Sequence, residues 1–122
     1  MDHKVLQWSC QGVRGKKDEL INLISSDKID ILALQETKLW TNSNFNISRY
    51  NVERKEVYFN HTPHGGVAIF IHNGIRYQKI NLMSSIQAVA VQVKISQLVC
   101  ICNMYSSRSH QIENSLVYDL YN

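Results

Sequence analysis

The stretch KIDILALQETKLW, residues 28–40, decides the fold predicted for this 122-residue chain. Its centre, residues 31–34, is a continuous apolar run, which is typical of a strand covered on both faces. The polar residues QET follow directly, with no turn residue between them and the run. The pattern therefore predicts a buried strand that presents a carboxylate, Glu36, at its carboxyl end.

The residues before this strand predict a second strand and a helix. Residues 4–9 form a short apolar strand pattern, and residues 16–28 carry apolar side chains at helical spacing. A strand, a helix and a strand make a βαβ unit, whose two strands lie parallel in one sheet. Ligands in open α/β sheets gather beyond the carboxyl ends of such strands. Ser9 and Glu36 are therefore predicted to lie at one shared edge.

The rest of the chain predicts mainly strands. Residues 50–54 are predicted as a short strand, and the β-branched runs of residues 66–105 predict an antiparallel meander. Asn73-Gly74 is the strongest short hairpin signal in the chain, and it predicts that the strands on either side of it pair. Residues 109–122 space apolar side chains four apart, as a helix does. The predicted fold class is α/β, with one mixed sheet and flanking helices.

Composition limits the class of protein. The hydrophobic fraction of 44% and the charged fraction of 19% are ordinary for a soluble globular protein, and a net charge of +3 permits contact with a polyanion without arguing for it. No segment approaches the ~20 apolar residues of a membrane-spanning helix. The N-terminus lacks the apolar core of a secretory signal. An odd number of cysteines fits a reducing compartment, so the expected location is intracellular, nuclear or cytoplasmic.

The cysteines and histidines do not predict a zinc site. His61 and His64 precede Cys100 and Cys102, but the spacing matches no standard zinc pattern. Alternate residues of a strand share one face, so the two cysteines are predicted to be buried together in the sheet.

Four stretches carry a resemblance to a known family. They are VLQWSCQGVRGKKDELINLI, DILALQETKL, HGGVAIFIHNGI and NMY, in that order, and together they cover nearly the whole chain. They resemble the first half of the endonuclease/exonuclease/phosphatase superfamily, which has the fold of deoxyribonuclease I. The greatest similarity is to the N-terminal endonuclease domain of non-LTR retrotransposons. The resemblance implies a partial deoxyribonuclease I-like α/β sandwich over residues 1–122, the N-terminal half of a domain about twice as long.

The resemblance also implies a site. In the family the Glu of QET binds the catalytic magnesium and the Tyr of N-x-Y lies by the scissile phosphate, which implies catalytic roles for Glu36 and Tyr105. Glu36 is the implied metal ligand, and Mg²⁺ is the implied cofactor. Ser9, Asn103 and Arg108 are implied to lie near the phosphate or substrate. Ser9 stands where the family has asparagine, and Arg108 stands where a small polar residue is common. DNA is the implied partner.

Each candidate also has a plainer interpretation. Glu36 could be a solvated strand end that pairs with Lys38. Tyr105 could be an aromatic residue that half covers the core, and Ser9 a small residue at a turn.

Two later motifs of the family, D-x-N and S-D-H, do not occur in these 122 residues. In the family they supply the general base, an orienting aspartate and a phosphate-binding histidine, so the chain is predicted to be inactive alone. Three functions stay open. They are the N-terminal half of a Mg²⁺-dependent DNA endonuclease of a retrotransposon-like element, a non-catalytic remnant that binds nucleic acid or protein, and half of a phosphoinositide phosphatase or RNA deadenylase. An expected partner is the missing C-terminal half, or a protein that covers a bare sheet face.

Overall fold

The computed structural model describes residues 3–83, residues 85–105 and the backbone of residues 115–119. Its helical elements are a 3-10 turn (Arg14–Lys16) and helix α1 (Lys17–Asp27). Its strands, in chain order, are β1 (Val5–Ser9), β2 (Ile31–Gln35), β3 (Tyr50–Lys55), β4 (Tyr58–Phe59), β5 (Thr62–Pro63), β6 (Val67–His72), β7 (Arg76–Ile80), β8 (Ala88–Lys94), β9 (Leu98–Met104) and β10 (Ser115–Asp119).

The first sheet, sheet 1, has the strand order β1-β2-β6-β3 and is mixed. β1 runs parallel to β2, with Ser9 opposite Gln35, and α1 connects the two strands. β6 runs antiparallel to both β2 and β3. The predicted βαβ unit and the predicted strand near residues 50–54 are confirmed.

The second sheet, sheet 2, has the order β10-β9-β8-β7, and every neighbouring pair in it is antiparallel. The predicted meander is confirmed from β7 onward. The hairpin predicted at Asn73-Gly74 is wrong, because β6 belongs to sheet 1 and β7 to sheet 2. β6 is already paired on both sides, by β2 and β3, so β7 has no edge of it to join.

Three layers bury two cores. One core lies between α1 with its neighbouring loops and sheet 1, and includes Leu20, Leu34 and Phe70. The other lies between the two sheets, where residues such as Ile69 of β6 face Val91 of β8. β2 is buried along its whole length because a layer covers each face, as its apolar run predicts.

The α/β class, the mixed sheet and the partial sandwich are confirmed by this layering. The expectation of a bare face on the mixed sheet is wrong, because sheet 2 covers the face that points away from α1. The second layer is thus a sheet where flanking helices were expected, and α1 is the only α-helix in the described part of the chain. None of the helices described is long and apolar enough to cross a membrane.

The end of the chain differs from the prediction. Residues 115–119 form strand β10, paired antiparallel with β9, so the predicted helix is wrong over those residues. β9 has an edge that β8 does not occupy, and this edge offers backbone hydrogen-bond partners to residues 115–119. The apolar spacing of the segment is too weak a helical signal to outweigh that pairing. The rest of that predicted helix lies outside the described residues.

The two cysteines of β9 lie on one face, as predicted, but they are half-buried. The core-facing positions of β9 are the alternate residues Val99, Ile101 and Asn103. Cys100 and Cys102 therefore point away from sheet 1, and the prediction that they are buried is wrong.

Candidate functional site

The carboxyl ends of the two parallel strands bring a hydroxyl and a carboxylate together. The Ser9 hydroxyl donates to Glu36 Oε2 at 2.8 Å, which confirms that both residues lie at the same edge. Glu36 is half-buried, and Lys38 is exposed. Within the described residues, no ion pair joins Glu36 to Lys38. Ser9 therefore orients the Glu36 carboxylate by donating this hydrogen bond.

The backbone at this edge is strained and tightly held. Glu36 and Lys38 both adopt left-handed conformations, with φ of 57° and 53°, which cost L-residues about 1–2 kcal/mol each. The Gly12 N–H donates to the Glu36 carbonyl at 2.7 Å, and the Lys38 N–H donates to the Gly65 carbonyl at 2.7 Å. Loops from both neighbouring strands thus fix the residue that carries the carboxylate.

Tyr105 reaches the same region from sheet 2. A Cβ atom at Gly65 would lie 2.9 Å from Tyr105 Cε2, so the glycine backbone lies directly against the phenol ring. Burial raises the pKa of Tyr105, and the negative charge of Glu36 raises it further. The structure therefore brings Ser9, Glu36 and Tyr105 into one neighbourhood, from the ends of three strands.

Asn103 lies in the interior, with none of its surface exposed. Its Nδ2 donates to the carbonyls of Leu34 and Ala68, at 2.9 Å each, and its Oδ1 accepts from Gln35 Nε2. One amide thus ties β9 to β2 and β6. Because Asn103 precedes Tyr105 by two residues, this connection also fixes where the tyrosine leaves sheet 2.

Sequence reasoning missed the role of Gln35. It is fully buried, and Gln7 Nε2 donates to its Oε1 at 2.6 Å. Gln7, Gln35 and Asn103 form a line of amides beneath the Glu36 edge. The available signal was a polar residue at the buried end of an apolar run, because such a residue needs a buried partner.

A buried thiol lies beneath the candidate site. Cys10 is fully buried under the edge, and burial raises the pKa of its thiol to about 11, so the thiol stays protonated near neutral pH. Arg108 lies outside the described residues.

The donor groups fit a sparsely ligated hard cation. Glu36 supplies one carboxylate, and the described residues contain no group of three or more His, Cys, Asp or Glu that could hold a metal. Mg²⁺ binds through one or two carboxylates and otherwise through water and substrate oxygens, which this edge satisfies. A zinc ion, which takes three or four protein ligands from Cys, His, Asp and Glu, does not fit a single carboxylate among the described residues.

The comparison with protein families gives one match. The sequence model of the "Endonuclease/Exonuclease/phosphatase family" matches residues 6–86, which is 81 of the 122 residues and includes Ser9 and Glu36. A comparison with curated proteins gives no match. The family implies a phosphodiesterase or nuclease-like function that uses a divalent metal. Because this match covers more than half of the chain, the chain belongs to the endonuclease/exonuclease/phosphatase family.

Proposed function

We propose that this chain supplies the metal-binding and phosphate-facing part of a Mg²⁺-dependent phosphodiesterase, specifically a DNA endonuclease of a retrotransposon-like element. The observation that carries the proposal is the Glu36 carboxylate, oriented by the Ser9 hydroxyl at 2.8 Å on a strained and tightly bonded edge. The negative charge of that carboxylate raises the pKa of the nearby Tyr105 phenol. Membership of the family supports phosphodiester chemistry at this edge.

Each residue then has a defined task. Glu36 holds the cation, and Ser9 fixes the direction of its carboxylate by donating to Oε2. When bound, Mg²⁺ offsets the charge of a phosphate and lowers the pKa of a bound water. The Tyr105 phenol stays protonated near neutral pH, since burial and Glu36 raise its pKa above the ordinary value, and it donates a hydrogen bond to a phosphate oxygen.

The chain by itself does not cleave DNA under this proposal. The D-x-N and S-D-H sequences are absent from these 122 residues. A positioned general base and a charge-stabilising donor each contribute roughly 10² to 10⁴ in rate. Supercoiled plasmid incubated with the purified chain and Mg²⁺ should therefore stay uncut. Robust nicking that EDTA abolishes would contradict this part of the proposal.

Metal binding is the direct test of the site. Mn²⁺ in place of Mg²⁺ can be followed by electron paramagnetic resonance on the chain itself. Glu36→Gln should weaken Mn²⁺ binding at least about tenfold, because it removes the ligand charge and keeps the shape. The matched control is Asp30→Asn, a carboxylate at the opposite edge of sheet 1, which should leave binding unchanged. Equal Mn²⁺ affinity in the wild type and Glu36→Gln would refute the proposal.

A fusion to the C-terminal half of an active family member extends the test to catalysis. In an active fusion, Glu36→Gln should lower Mg²⁺-dependent nicking roughly 10²-fold or more. Ser9→Asn should raise nicking, because the longer amide reaches oxygens that the hydroxyl cannot. Unchanged nicking in Glu36→Gln would mean that the carboxylate is a solvated strand end.

A further inference from the structure

A pair of very short strands exposes aromatic side chains beside the candidate site. β4 and β5 form a two-stranded ribbon, and we call this ribbon together with Trp40 and His64 the aromatic ribbon. The exposed fractions are 65% for Phe59, 42% for Trp40 and 40% for Tyr58. Large apolar rings exposed together on a small protein mark a binding surface more often than chance placement.

The rings are arranged as two contacting pairs. Trp40 and Tyr58 meet edge to face, with ring centroids 5.7 Å apart. Phe59 and His64 are 5.8 Å apart and tilted by 48°. Adjacent strand residues point to opposite faces, so the ribbon presents rings on both of its sides.

Hydrogen bonds hold the Trp40–Tyr58 pair and the chain segments beside it. The Thr41 N–H donates to the Tyr58 hydroxyl at 2.7 Å, which fixes the segment that carries Trp40. Arg54 Nη2 donates to the Ser43 carbonyl at 2.5 Å, and Arg54 Nε pairs with Glu56 at 3.0 Å. Rings that are already positioned lose little conformational entropy when a ligand stacks on them.

The ribbon is continuous with the Glu36 edge. Gly65 follows His64 directly, lies against the Tyr105 ring and accepts from the Lys38 N–H. Phe59 pairs with Thr62, three residues before Gly65, so the ribbon leads directly into the Gly65 loop.

The charge around the ribbon suits an anionic polymer. Lys38 is exposed and cationic, and the nearby carboxylate of Glu56 is paired with Arg54. An exposed cation beside exposed rings is a combination that binds single-stranded nucleic acid, in which a phosphate meets the cation and the bases stack on the rings.

We propose that the aromatic ribbon binds unstacked bases of a single-stranded nucleic-acid segment that flanks the phosphate at Glu36 and Tyr105. The position of that phosphate rests on the proposed function, and the stacking of bases on the ribbon does not. A substrate of this class has bases splayed out of a duplex, or has no duplex, beside the phosphate.

Anisotropy of a fluorescent 12-nucleotide oligo(dT), measured in EDTA, tests the ribbon without any metal. Phe59→Ala should weaken binding about 5- to 150-fold, because one stacking platform is lost. The control is Ile21→Ala, which truncates another exposed apolar side chain, on α1, and should leave the affinity unchanged. Circular dichroism of both variants checks that each remains folded.

A strand of the same length built from abasic nucleotides separates stacking from charge. The wild type should bind it at least as weakly as Phe59→Ala binds oligo(dT), because no base is left to stack on any ring, and Phe59→Ala should cause no further loss on the abasic strand. Lys38→Ala should instead reduce the salt dependence by a slope of about 0.7, the value for one phosphate contact on a single strand.

Three results would overturn the inference. These are no binding of oligo(dT) by the wild type, equal affinity of the wild type and Phe59→Ala, and equal affinity of the wild type for the oligo(dT) and abasic strands. If the wild type does not bind oligo(dT), a protein becomes the next ligand to test on the ribbon. Because these measurements exclude metal, they stand apart from the Mn²⁺ test of Glu36, and either proposal can fail while the other survives.

Discussion

The two ends of the strands of sheet 1, called here the amino edge and the carboxyl edge, differ because the first borders an open groove and the second is a set of tightly bonded loops. At the amino edge of β2, a groove of about 640 Å³ opens between the end of α1 and the start of β3, with Asp30, Arg49 and His72 among its lining residues. At the carboxyl edge, the loops of Ser9, Glu36 and Gly65 bond to one another and the glycine backbone lies against Tyr105. The groove and the candidate site are therefore at opposite ends of the same strands.

The difference teaches that the candidate site is distinguished by the bonds that hold its backbone and not by open volume. Left-handed residues cluster at the carboxyl edge, namely Gln11, Gly12, Glu36, Lys38, Gly65 and Gly66. Such conformations persist only where surrounding bonds over-determine them, and they are common at functional sites. The amino edge has Lys28 and Arg49 in that region, and Lys28 is simply the left-handed cap of α1. Substitutions at the tightly bonded carboxyl edge should therefore lower the free energy of unfolding far more than substitutions at the amino edge.

Asn103→Leu should have the largest effect. The change removes the donor to the Leu34 and Ala68 carbonyls and leaves the Gln35 amide without this partner, all in a fully buried place. Unsatisfied buried groups cost about 1–3 kcal/mol each, so the free energy of unfolding should fall by roughly 3–5 kcal/mol. Urea denaturation measures it. The matched control is Gln92→Leu, an amide on the outer side of β8, for which the expected change is within about 0.5 kcal/mol. Equal losses in the two variants would mean that the amides under the Glu36 edge are not special.

Gly66→Ala should come next, at roughly 2–3 kcal/mol. Its φ is 92°, and a Cβ atom there would lie 2.6 Å from Thr37 Oγ1. Thr37 is 1% exposed and cannot move away easily. Gly15→Ala is the matched control, because a Cβ atom at Gly15 meets nothing within 4 Å.

A double-variant cycle with Thr37→Ala separates the two causes of this loss. In that background the contact with Oγ1 is gone, so Gly66→Ala should cost less but should still show the conformational part. A cost that does not change between backgrounds would remove the close approach from the explanation.

The sequence predicted the parts of this site that depend on local pattern. The apolar run before Gln35 and the βαβ rule were enough to bring Ser9 and Glu36 to one edge, because parallel strands end together. The crossing between sheets at Asn73-Gly74 could not be predicted, since a turn signal does not say which strands already occupy the edges of β6.

Side-chain direction was the other part that the sequence could not supply. The sequence NMY is the same whether Asn103 faces solvent or, as here, the carbonyls of β2 and β6. The aromatic ribbon could not be predicted, because strands of two residues are too short to show the alternation of apolar and polar residues that indicates a strand. Both features depend on contacts between residues that are distant in the chain.

The pH dependence of stability tests whether solvent reaches the Cys10 thiol, which is buried under the carboxyl edge. Burial raises the pKa of its thiol from 9.0 to about 11. Below pH 9 the thiol is protonated in both states and contributes nothing. Between pH 9 and 11 the unfolded state loses its proton first, so the free energy of unfolding should fall, by about 2 kcal/mol at pH 11. The difference between the wild type and Cys10→Ala, followed by urea denaturation at each pH, isolates this contribution from the tyrosines. A pH-independent difference would mean that solvent reaches the thiol.

The smallest effect is expected at the amino edge, from Asp30→Asn. The Asp30 carboxylate accepts from the Lys4 N–H at 2.9 Å and lies 3.5 Å from His3 Nδ1, but its side chain is 29% exposed. An amide oxygen can accept the same backbone bond, and solvent screens the charge, so the free energy of unfolding at pH 7 should change by at most about 1 kcal/mol. The pKa of Tyr50, raised mainly by burial and further by the Asp30 charge, should fall toward its usual value but stay above it, because burial remains. Ultraviolet titration of the tyrosines follows that shift. A loss of stability as large as that of Asn103→Leu would show that the amino edge is as tightly organised as the carboxyl edge, and the distinction between the two edges would fail.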